Sequence, residues 1–131
     1  MSDINWLEVL DWDSSELEDL RFVGYSYIQQ GKYDIALSFF KALVVLNPSS
    51  SYDLQTLGAL FLEKGNNLEA LNYLDQSLKI EPTHLSSKLN KAKALFSLGY
   101  KKQATIVAKE LEKSTDESIA KRASALLLSY E

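Results

Sequence analysis

The chain has 131 residues, 46% hydrophobic and 24% charged, with no cysteine and a net charge of −4. That length supports one domain able to bury roughly two-thirds of its unfolded surface, and the missing cysteines exclude disulfides, thiolate metal sites and cysteine nucleophiles. Charge is polarised: Asp3, Glu8, Asp11, Asp13, Glu16, Glu18 and Asp19 put −7 into the first twenty residues, leaving fourteen basic against eleven acidic residues beyond them, so no continuous basic footprint exists for nucleic acid.

At the N-terminus, Met1 to Trp6 carries neither a basic n-region nor an apolar h-region, so no secretory signal is read there. The longest apolar run, Ala42 to Leu46, is far too short to cross a bilayer. A cytoplasmic protein without membrane insertion is therefore expected. Residues 3–12 read as a short amphipathic helix with Asp3 as its N-cap and Ile4, Trp6, Leu7, Val9 and Leu10 apolar. So short a helix is marginal alone, so its apolar side must pack on something. Trp6, Leu7, Leu10 and Trp12 fit an oligomerisation arm, and equally a lid on the domain's own core.

Ser15-Glu16-Leu17-Glu18 has capping-box form. From there Leu17, Leu20, Val23, Gly24, Tyr27 and Ile28 keep helical spacing up to Gln30-Gly31, and a second helix runs from Tyr33 to Leu46. Asn47-Pro48-Ser49-Ser50 ends it, because proline disfavours helical geometry in the residue before it. The same plan then returns. Gly31, Gly65 and Gly99 are 34 residues apart, as are Ala36, Ala70 and Ala104, and Pro48 and Pro82 keep the step. A period of this length marks a helical repeat array.

Position by position, the repeat follows the packing of antiparallel helix pairs. Gly24, Gly58 and Ala92 are equivalent sites where a small residue lets two helices approach, and the three turn glycines favour left-handed backbone angles. Ser114-Thr115-Asp116-Glu117 reads as a second capping box, opening a last helix from about 115 to 130 with Ile119, Ala123, Leu126, Leu127 and Tyr130 in one stripe.

These residues resemble the tetratricopeptide repeat family. Taking 17–50, 51–84 and 85–118 as repeats, its fourth, seventh, eighth and eleventh positions are Leu20, Val23, Gly24 and Tyr27, then Leu54, Leu57, Gly58 and Phe61; the later ones are Ala36, Phe40 and Pro48, then Ala70, Leu74 and Pro82. The third repeat departs from the pattern, with Lys88, Lys91 and Asp116 in place of two apolar residues and the proline. The resemblance implies an all-α fold: three helix-turn-helix repeats forming a short right-handed superhelix. It divides the chain into an acidic helical arm over 1–16, repeats over 17–118 and a capping helix over 119–131.

In that family the first helix of each repeat lines a concave groove. Carried over, the peptide-binding groove is Tyr25, Ile28, Tyr52, Ala59, Leu62, Leu89 and Phe96. Tyr25 and Ala59 stand where members that grip a carboxylate terminus need charged or amide side chains, so an apolar, extended client is the better fit. The run from Gly24 to Asp34, with Ala42-Leu43 and the N-terminal arm, is also similar to bacterial type III secretion chaperones of the translocator type. That similarity implies a protein or peptide client, a secreted translocator or needle-type subunit held unfolded before export, and a homodimer through the arm. The alternative is a scaffold binding through its arm, convex face or cap.

No enzyme is expected. His84 is the sole histidine and reads as a loop residue beside Pro82-Thr83, with no phosphate loop and no metal-ligand cluster. Cofactors and metals are therefore expected to be none. Lys88, Lys91, Lys93, Lys101 and Lys102 form a basic region that reads as a solvated face, or as a seat for an acidic partner or the chain's own arm.

Overall fold

Three glycines turn the chain back on itself, and the helix pairs follow from them. Gly31, Gly65 and Gly99 adopt φ of +74°, +81° and +88°, the left-handed region that side chains with a Cβ avoid. Each turn closes in the same way: the amides of Lys32, Asn66 and Tyr100 donate to the carbonyls of Tyr27, Phe61 and Leu95 at 2.9 Å. This is the six-to-one bond of a Schellman ending. The same three residues then serve as N-caps of the next helix, so only three residues separate the partners of a pair.

The computed structural model describes residues 4–131. Its helices are α1 (Trp6–Leu10), α2 (Ser14–Gln29), α3 (Tyr33–Leu46), α4 (Ser51–Glu63), α5 (Asn67–Ile80), α6 (Leu85–Ser97), α7 (Lys101–Glu112) and α8 (Glu117–Ser129), with no strand among the described residues. Helices α2/α3, α4/α5 and α6/α7 are three tetratricopeptide-type pairs. Between repeats, Asn47 and Glu81 take ψ of 82° and 88° ahead of Pro48 and Pro82, the extended geometry that a following proline imposes.

Close approach within each pair rests on small residues. A Cβ on Gly24 would stand 2.8 Å from Phe40 Cε2, and one on Gly58 would stand 2.7 Å from Leu74 Cγ. Repeat three solves the same crowding differently. Ala92 carries a Cβ there, and the residue equivalent to Phe40 and Leu74 has shrunk to Ala108; both alanines are fully buried in one cluster. The core runs from Leu17 through Phe40, Leu43, Leu57 and Leu74, then continues beneath α8 as Leu89, Leu111, Ile119 and Ala123.

Helix ends differ from the sequence expectation at three places. Helix α1 starts at Trp6, with the Asn5 side chain accepting from the Glu8 amide at 3.2 Å, and stops at Leu10 because Asp11 is left-handed at φ 56°. The expected cap at Asp3 lies outside the described residues. The first capping box is built by Asp13 and Glu16, not Ser15 and Glu18: Asp13 accepts from the Ser15 amide at 2.9 Å, and Glu16 accepts from the Asp13 amide at 3.0 Å. A carboxylate accepts more strongly than a hydroxyl, and hydrogen bonds from Ser15 hold the Asp13 carboxyl below its ordinary pKa. Likewise Asp116, rather than Ser114, caps α8 by accepting from the Ile119 amide at 3.2 Å. It occupies the position where the other repeats carry proline, and so starts a helix where proline would only end one.

Candidate functional site

The first helices of the repeats, α2, α4 and α6, bring the groove residues together in two groups. At the N-terminal end, the Tyr25 ring packs edge-on against Phe40 at 5.2 Å and tilts against Tyr52 at 5.9 Å. Thr56 spends its hydroxyl hydrogen on the Tyr52 carbonyl at 2.9 Å, so Tyr25 donates its own to Thr56 Oγ1 at 3.2 Å. Burial pushes the Tyr25 phenol well above its ordinary pKa. Tyr52 keeps 49% of its surface exposed and is the open aromatic of this group. Ile28 is half-buried against the core.

The second group forms a cleft of about 490 Å³. Ala59 and Leu62 of α4 make one side, Asn90, Lys93 and Ser97 of α6 the other, and Leu126 with Tyr130 closes the end. Glu63 and Asn67 complete its rim. The lining mixes apolar side chains (Ala59, Leu62, Leu126) with amide, hydroxyl and oppositely charged groups. Such a surface suits a peptide, because buried apolar anchors supply affinity while rim amides satisfy a main chain.

Leu89 and Phe96 do not join either group. Leu89 is 2% exposed and packs with Leu111, Ile119 and Ala123. Phe96 is buried, with its ring stacked on Tyr130 at 4.4 Å. The reason is that α8 packs on α7 and α6 as α6 packs on α5 and α4, so it covers the groove face of the last repeat. Sequence reasoning overlooked Leu126 of α8 and Tyr130 just beyond it, together with Asn67 and Asn90. The signal was present: 90, 93 and 97 recur at helical spacing on one face, as do 59, 62 and 63.

In the arm, Leu7 packs against the core and α1 rests on α3, while Trp6 and Leu10 stay exposed and Trp12 is half-buried. His84 is not a bare loop residue. It is the N-cap of α6, with Nδ1 2.6 Å from Ser87 Oγ, and Ser87 continues to buried Ser77 at 2.8 Å. The basic region of repeat three is divided as well. Lys91 pairs with Asp75 at 2.8 Å and Lys88 with Glu110 at 3.4 Å, Lys93 faces the cleft, and Lys101 and Lys102 lie on α7.

Among the described residues, no group of three His, Asp or Glu residues is placed to hold a metal ion, and no helix is long and apolar enough to cross a membrane. Stacked antiparallel helix pairs with a lined concave face define a helical-repeat protein of the tetratricopeptide type. Residues 29–111 match the family model described as anaphase-promoting complex, cyclosome, subunit 3, and the chain belongs to this tetratricopeptide-type family. No curated protein matches.

Solved structures share the fold. The type III secretion translocator chaperone SycD of Yersinia enterocolitica superposes with a TM-score of 0.82 at 22% identity, covering 98% of this chain and 99% of that one. SycD in complex with a peptide of the translocator YopD gives a TM-score of 0.76 at 23% identity, over 91% and 98% of the two chains. PcrH from Pseudomonas aeruginosa gives 0.78 at 23% identity, over 90% and 93%.

Proposed function

We propose that this chain is a cytoplasmic peptide-binding module of the type III secretion chaperone kind. In this reading it holds a hydrophobic segment of a secreted translocator or needle-type subunit in its concave groove, and it acts by binding rather than catalysis. The observation that carries the reading is the cleft between α4 and α6, where Ala59, Leu62 and Leu126 stand among amide, hydroxyl and charged side chains. The likeness to SycD with a translocator peptide supports it. Tyr25, Ile28 and Tyr52 would extend the same surface toward the N-terminal end, with Leu89 and Phe96 supporting it from beneath. Chain regions 1–16, 17–118 and 119–131 would then be arm, binding array and end wall.

The test is titration of the protein with labelled peptides tiled across a secreted translocator or needle subunit. Tyr25→Ala with Leu62→Ala should abolish binding of the peptide that the parent protein holds. Undiminished binding by that variant would sink the groove reading.

A second reading has its own observation. Trp6, Val9 and Leu10 are exposed on α1, which favours a scaffold, or a homodimer, engaging through the arm. Deleting residues 1–13 would then abolish partner association while the groove substitutions would not.

A further inference from the structure

Helix α8 is built as the first helix of a pair, yet no second helix covers it among the described residues. Ser50, His84 and Asp116 cap α4, α6 and α8 by accepting from the amides of Asp53, Ser87 and Ile119, and those three residues are buried alike. The caps therefore set a common register, two residues short of the 34-residue step because α7 has 12 residues where α5 has 14. Gly58, Ala92 and Ser124 are then equivalent, each the eighth residue after its cap. Gly58 receives Leu74 of α5, and Ala92 packs with Ala104 and Ala108 of α7. Ser124 receives no helix, since α8 packs on α7 and α6 alone. The neighbouring apolar residues register the difference. Leu95 and Phe96 are buried, whereas their equivalents are half-buried Leu127 and Leu128, 67% exposed.

A furrow of about 650 Å³ lies between α7 and α8 at this face, lined by Ser124, Leu127 and Leu128 of α8 and by Lys101, Thr105 and Lys109 of α7. Two of its polar groups are already spent: Glu112 accepts from the Ser124 hydroxyl at 2.7 Å, and Thr105 donates to the Lys101 carbonyl at 2.7 Å. Glu131, beyond the end of α8, is the other acid there. Lys101 and Lys109, about two helical turns apart, pair with no carboxylate among the described residues. The preceding pairs show what fills such a place. On α4 and α6 it is a helix that carries a small residue four before the one at the crossing, Ala70 before Leu74 in α5 and Ala104 before Ala108 in α7. The occupant of the α8 furrow needs, in addition, carboxylates to meet the two lysines.

We propose that the furrow on α8 docks an amphipathic helix of another protein, one with a small residue four before an apolar one and acidic side chains on its flank. The docked helix completes a fourth pair in trans. Its apolar stripe buries Leu127 and Leu128, its small residue lies close to Ser124, and its acidic flank meets Lys101 and Lys109. Tyr130 lines both this furrow and the cleft between α4 and α6, which share no other lining residue, so the inference does not rest on the groove reading.

The test is titration of the full-length chain with a labelled helical peptide, braced by a side-chain bridge, of the α5 sequence Asn67–Ile80. That probe carries the Ala70–Leu74 step together with Glu69 and Asp75. Saturable binding that weakens as salt rises is expected. Ser124→Leu, which fills the crossing, and Leu128→Lys should each lower the affinity by roughly tenfold or more, and so should Lys101→Glu with Lys109→Glu. Leu128, Lys101 and Lys109 are exposed, so those variants should keep parental helicity. Tyr25→Ala with Leu62→Ala should hold the probe as the parent does. A parent chain that does not bind the probe, or furrow variants that bind it undiminished, would overturn the proposal. Sedimentation supplies the remaining check: self-association of the parent that Ser124→Leu abolishes would give the furrow to a second copy instead and overturn it too.

Discussion

Arg21 of α2 holds Asp53 of α4 with two parallel bonds, Nε to Oδ1 and Nη2 to Oδ2, both 2.7 Å. Asp53 is fully buried, whereas the Arg21 side chain keeps 23% of its surface. This fork joins the first helices of successive repeats directly beside the Tyr25–Tyr52 pair, so the groove's N-terminal half is positioned by a charge pair. The Asp53 hydrogen bonds hold the Arg21 guanidinium above its already high pKa.

Removing one partner should be far worse than removing both. Arg21→Ala leaves a buried carboxylate unpaired and should cost about 3 kcal/mol in chemical denaturation, whereas Arg21→Met with Asp53→Leu should recover most of that loss. Equal losses in the two variants would show that the pair contributes only packing.

Gly58→Ala should destabilise by about 1–3 kcal/mol, because its Cβ would meet Leu74 Cγ. Repeat three points to the remedy, with Ala92 facing Ala108. Gly58→Ala with Leu74→Ala should therefore lose less than the sum of the single changes, a coupling read from a double-mutant cycle.

His84→Ala should cost about 1 kcal/mol by removing the α6 N-cap, while His84→Asn should keep most of that stability. Thermal melts of the two variants settle it. A loss shared equally by both would mean that the ring acts through packing.

Tyr25 should ionise above the ordinary range of a phenol. Its folded-state pKa is raised by burial, so folding favours the neutral phenol. That contribution is complete below the unfolded-state pKa of about 10 and is lost as pH climbs toward the folded value. The difference between the alkaline absorbance titrations of the parent and Tyr25→Phe should report a phenol that ionises above the ordinary range. The alkaline decline in stability should be shallower in that variant.

The repeat register was legible from Gly31, Gly65, Gly99 and the two prolines, because each imposes a backbone geometry that few other residues tolerate. Caps were legible only to within two residues. Asp13 and Ser15, like Asp116 and Ser114, are rival acceptors at neighbouring positions, and only three-dimensional geometry decides which carbonyl-to-amide frame the helix adopts. Leu89 and Phe96 were misplaced for a different reason. A groove position in an internal repeat becomes a core position once another helix follows, and nothing local to residues 85–97 announces that α8 will lie over them. The Arg21–Asp53 fork was invisible because its partners are 32 residues apart on different helices.

The three-residue glycine turns have a last consequence, for how such a chain can lengthen. From α2 to α8 every helix packs on its sequence neighbours, with longer reach only from α1 to α3, α4 to α6 and α6 to α8, and among the described residues no helix of one end packs on the other. A duplicated 34-residue unit inserted before α8 would meet the same neighbours as the copy it came from. The molecule is thus extensible by whole repeats, and its length is a quantity that gene duplication can change without a new core having to be invented.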